Sequence, residues 1–144
     1  MDHLIRKTIN RFIATYPHSE NTGWKSPLVA YARADDPLFT ELKNIVNPTH
    51  ALPQDFLSEA QTVITYFLPF ENRVVESNKP GRYSSRTWAL SYIETNRLIE
   101  ALNEHLQQVL VEQGYKAVFV PATHNFDKKT LLSDWSHRSA AYIA

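Results

Sequence analysis

Six histidines stand at positions 3, 18, 50, 105, 124 and 137, and what each can do depends on its neighbours. No two of them make the close pair on one helix face that a zincin-type centre needs. His124 and His137, with Asp127 and Asp134 between them, form the one local group of metal-capable side chains. Their irregular spacing suits turn caps and surface positions better than a coordination shell, so no metal is expected. A second group runs through Asn78-Lys79-Pro80-Gly81-Arg82-Tyr83-Ser84-Ser85-Arg86-Thr87-Trp88, where cations and aromatics gather at the start of a long helical pattern. Backbone donors and the positive end of such a helix favour phosphate or carboxylate groups, while Trp88 and Tyr92 offer surfaces on which a flat ring packs. A plainer assignment competes with this one. Trp88 and Tyr92 also fall on the inward stripe of the same helix, and Arg82 and Arg86 can simply be solvated.

Familiar catalytic signatures are missing. Gly23, Gly81 and Gly114 are the only glycines, and none flanks a serine as a nucleophile elbow requires or builds a phosphate-cradling loop. The chain has no cysteine, which excludes disulfides, thiolate-bound zinc, a cysteine nucleophile and any cysteine-ligated iron–sulfur cluster within it. Fifteen Lys and Arg balance fifteen Asp and Glu, so no net field draws in a polyanion and general nucleic-acid binding is not expected. The first residues enter an amphipathic pattern at once and no run is long enough to span a bilayer, which predicts a soluble, cytoplasmic protein.

The elements that must position these residues follow from periodicity. At 144 residues, 43% of them hydrophobic, the chain can bury a core as a single domain. Leu4, Ile5, Ile9, Phe12, Ile13 and Tyr16 predict a first helix behind an Asp2 cap, ended by Pro17. Pro27 to Ala32 reads as a strand, and Asp35 and Asp36 can cap a helix opening at Pro37 with Leu38, Leu42, Ile45 and Val46 inward. After breaks at Pro48 and Pro53 and a turn around Asp55 to Ala60, Thr62 to Leu68 reads as a central strand covered on both faces. Glu71 to Ser84 is polar and aperiodic, the pattern of a loop. Trp88, Tyr92, Thr95, Ile99, Leu102, Leu106 and Val109 mark one long helix over about 85–113, stopped by Gly114. Tyr115 to Val120 predicts a third strand, and Leu131, Leu132, Trp135, Tyr142 and Ile143 a last helix. The expected class is α+β, a small mixed sheet flanked by helices. The apolar ending Ser139 to Ala144, with neither glycine cap nor polar tail, suggests a longer chain cut short.

Three stretches carry a resemblance. They are Leu28 to Phe39, Ser84 to Asn96, and Pro121 to Asp127 leading into Asp134-Trp135-Ser136-His137-Arg138-Ser139-Ala140-Ala141-Tyr142-Ile143-Ala144. Together they resemble the N-terminal part of epoxyqueuosine reductase-like iron–sulfur proteins, closer to the uncharacterised ferredoxin-like branch than to the tRNA-modifying enzymes. In that family the region is similar to the corrinoid-binding domain of reductive dehalogenases and precedes a cysteine-rich module with two four-iron clusters. The resemblance implies a ligand-binding or scaffold domain that is inactive alone, with cobalamin as the family's cofactor and no cofactor expected in the isolated chain. It puts Asp127, and second His124, forward as the catalytic acid, because reductive opening of an epoxide needs a proton as electrons arrive. It puts Arg82, Tyr83, Arg86, Trp88, Tyr92 and Thr123 forward as corrinoid contacts. The alternative from a different class is a noncatalytic interaction module, docking through its C-terminal apolar face on a partner subunit that supplies the missing module or on a second copy, with Trp135 as anchor. Whether tRNA takes part stays open.

Overall fold

The computed structural model describes residues 1–18 and 22–144. Its class is α+β: helices with a small two-stranded sheet. Chain contacts gather into two compact units, Met1–Leu28 with Phe67–Tyr115 and Val29–Tyr66 with Lys116–Ala144.

In the first unit, helix α1 (Asp2–Ala14) and the 27-residue helix α5 (Arg86–Glu112) pack together. Asp2 is the first helical residue rather than the cap, and its carboxylate accepts from the Arg6 guanidinium one turn on at 2.7 Å. Burial along α1 falls on Ile5 and Ile9, and along α5 on Ser91, Leu98, Leu102 and Leu106. Leu102 and Leu106 lie on the stripe the sequence suggested, while Ser91 and Leu98 are buried beside it and Tyr92 is not. Tyr92 is 62% exposed, while Leu98 is fully covered. The region from Glu71 to Ser84 is not all loop, since Asn72–Ser77 forms helix α4, which packs on α5 and buries Val74 completely. A six-residue helix needs only one such contact, too little to show as a hydrophobic period. Gly114 takes φ +83° past the end of α5, the left-handed stop the sequence indicated.

Helix α5 starts where its cap dictates. Ser85 Oγ accepts from the Trp88 N–H at 3.0 Å and shares a hydroxyl contact of 2.8 Å with Ser77, while the Ser85 N–H donates to Asn78 Oδ1 at 2.9 Å. Ser85→Ala removes the acceptor and leaves a helix-end donor without its partner. The expected loss is about 0.5–2 kcal/mol of stability, read as a lowered urea midpoint at unchanged slope.

Strand β1 (Leu28–Arg33), in the second unit from Val29 on, pairs with β2 (Thr62–Phe67), in the second unit up to Tyr66. The Ala34 N–H bonds the Gln61 carbonyl while Thr65 Oγ1 reaches the Ala30 carbonyl, so the strands run antiparallel. The mixed, three-stranded sheet expected from the sequence is therefore a two-stranded antiparallel one. Strand β2 lies half-buried rather than covered on both faces, and Tyr115 to Val120 forms no strand despite its β-branched and aromatic content. Asp36 caps helix α2 (Pro37–Ile45), its carboxylate accepting from the Leu38 N–H at 2.9 Å. Phe39 and Leu42 are the inward residues of α2, whereas Leu38 and Ile45 are exposed. Pro53 opens a single helical turn, α3 (Pro53–Phe56), where a plain turn was expected; Asp55 there accepts from the Leu52 N–H at 2.7 Å. The last helix, α6, covers only His137–Ile143. Before it, Asp127 and Leu132 close an antiparallel bridge around Leu131, whose φ of +59° is incompatible with a right-handed helix.

Candidate functional site

The core of the second unit gathers Ala32, Phe39, Leu42, Trp135 and Ala140. Trp135 is its centre. Its ring stacks on Phe39 at 6.1 Å, meets Phe56 edge-on at 5.2 Å and lies 5.4 Å from the His50 imidazole. With 7% of its surface exposed, Trp135 is an internal anchor and not the docking residue its place in the apolar ending implied.

A polar seam runs beside this core. Asp134 accepts from Thr49 Oγ1 at 2.6 Å and from Asn125 Nδ2 at 3.1 Å, and its backbone carbonyl accepts from the Ala51 N–H at 2.7 Å. The hydrogen bonds from Thr49 and then Asn125 hold its carboxyl below the ordinary carboxylate range. His50 is buried in the same seam. Its Nδ1 lies 2.8 Å from the Ala51 carbonyl and its Nε2 accepts from the Ser136 N–H at 3.0 Å, so the neutral ring carries its proton on Nδ1. Nothing local in the sequence marks His50, because its partner Ser136 lies 86 residues away.

The candidate residues fall into the two units. In the first, Arg82, Tyr83, Arg86 and Tyr92 are exposed, and Tyr83 keeps 83% of its surface open. Trp88 is half-buried with its ring edge-on to Phe70 at 5.3 Å, which makes it a packing residue. In the second unit Thr123 is exposed, and His124 lies half-buried with its ring edge-on to Phe56 at 4.9 Å. Asp127 works on its own turn: Oδ1 accepts from the Lys129 N–H at 2.7 Å and the Thr130 N–H at 3.4 Å. Those backbone donors lower its pKa, the reverse of what a general acid near neutral pH needs. His137 reaches away, its Nε2 2.9 Å from the Pro121 carbonyl. Among the described residues no group of three or more His, Asp or Glu side chains is placed to hold a metal ion.

Two open hollows lie on the second unit. One of about 390 Å³ is lined by Arg33, Asp35, Ala60, Gln61 and Thr62. The other, about 480 Å³, lies between α2 and α6, among Leu38, Leu42, Ile45, Tyr142 and Ile143. Neither is lined by Thr123, His124 or Asp127. Among the described residues no helix is long and apolar enough to cross a membrane. Comparison with protein-family models, curated proteins and solved structures gave no match to this chain.

Proposed function

We propose that the chain is the N-terminal ligand-binding or scaffold part of an epoxyqueuosine reductase-like redox protein, and that it does not turn over alone. The observation that carries this reading is the meeting of two resembling stretches in one core. Asp36 from Leu28 to Phe39 caps α2, Phe39 stacks on Trp135, and Ala140 of the final stretch is buried beside them. Two of the three segments that carry the resemblance thus meet in the core of this unit. With Asp127 and Asp134 both held as carboxylates by hydrogen bonds, these two side chains suit binding and positioning better than proton donation.

The purified chain is expected to contain no iron, to lack absorbance from clusters, and to release added cobalamin on gel filtration. Cysteine ligands for a cluster are absent from the sequence, and Arg82, Tyr83, Arg86, Tyr92 and Thr123 stand exposed. Metal analysis and a visible spectrum of the eluted protein check this. Stoichiometric iron, or corrinoid eluting at one per chain, would overturn the reading of a domain that is inert by itself.

A second reading, an interaction module, is favoured by the apolar rim of the hollow between α2 and α6. Leu38, Ile45 and Tyr142 are 47%, 74% and 87% exposed there.

A further inference from the structure

We propose that His50 is an acid-sensitive latch that holds the start of α6 against the 49–51 segment and lets it go when the ring takes up a second proton. The geometry leaves the cation no room. Nδ1–H is committed to the Ala51 carbonyl at 2.8 Å, and Nε2 serves as acceptor for the Ser136 N–H at 3.0 Å. A proton on Nε2 would turn that acceptor into a donor facing another donor. Only 1% of His50 is exposed, so water cannot take over either bond while Ser136 stays in place.

Ser136 is the residue through which α6 is organised. It is the N-cap of the helix: its hydroxyl accepts from the Ser139 N–H at 3.2 Å, and its carbonyl accepts from the Ala140 N–H at 3.0 Å. Releasing the Ser136 N–H therefore loosens the first turn of a helix only seven residues long. The charged groups bearing on the ring are Lys43 from α2, which opposes its protonation, and Asp134 from the segment before α6, which favours it. In α3 the Asp55 carboxylate is engaged by the Leu52 N–H. Asp134 is held ionised by Thr49 and Asn125, so it stays a fixed charge while the ring titrates.

The sign follows from linkage. Burial, the largest influence, lowers the His50 pKa below the ordinary 6.5, so a detached ring takes up a proton more readily than the latched one. The latch is at full strength above 6.5 and weakens as pH falls through that value, levelling off once the latched ring itself titrates.

The test is amide hydrogen exchange at Ser136, Ser139 and Ala140 in the full chain, corrected for intrinsic rates, with the His50 and His137 rings followed by NMR between about pH 7.5 and 4.5. Protection should fall by up to about tenfold per pH unit, the limit for one linked proton, and should be independent of pH in His50→Gln. Protection that stays flat in the parent, or falls equally in His50→Gln, overturns the latch. If His50→Gln does not fold, the parent decides: a Ser136 amide shift that follows the His50 ring supports the latch, and one that follows the His137 ring or neither ring overturns it.

Discussion

Trp135→Ala should cost about 3–5 kcal/mol of stability, a large share of the roughly 5–15 kcal/mol typical of a domain. The side chain is 7% exposed and lies against Phe39, Phe56 and His50, so truncation strips three rings of their common neighbour at once. The surroundings are poorly placed to collapse into the gap. Phe39 is anchored on α2, Phe56 on α3, and His50 is tied at both ring nitrogens. Urea unfolding read through amide signals of the second unit measures the loss. A cost under about 1 kcal/mol would place Trp135 with surface substitutions and restore it as a docking residue.

The fold class, the long helix and its stop were legible because each rests on local chemistry. Ser85 and Asp36 cap the helices that follow them, and Gly114 adopts the positive φ that other residues resist. What the sequence hid depends on distant partners. Tyr115 to Val120 has strand composition, yet composition cannot say whether a neighbouring strand is there to pair with it. Leu131, Leu132 and Trp135 show helical spacing, but the Asp127 bridge and the left-handed Leu131 break the backbone between them and α6. His50 was one unremarkable histidine among six until Ser136 appeared beside it. Asp127 was read as an acid through resemblance, and its role as acceptor for its own turn is visible only once Lys129 and Thr130 fold back onto it.

The register of α5 carries the second large expectation. Of the seven residues at helical spacing that suggested a buried stripe, Leu102 and Leu106 are buried, whereas Tyr92 points out and Leu98 takes an inward place the spacing did not mark. Helix α1 settles the difference physically. It packs on α5 with Ile5 and Ile9 buried, and Phe12 stacks on His105 at 5.2 Å, which fixes which side of α5 is covered. Leu98→Ala is therefore expected to cost about 2–5 kcal/mol, since it opens a cavity at a side chain with no exposed surface. Tyr92→Ala, at 62% exposure, should stay within about 0.5 kcal/mol of the parent. Paired urea melts compare the two directly. If Tyr92→Ala proves the costlier change, α5 is rotated from the orientation described. Tyr92 would then lie inside the first unit instead of in the exposed position described.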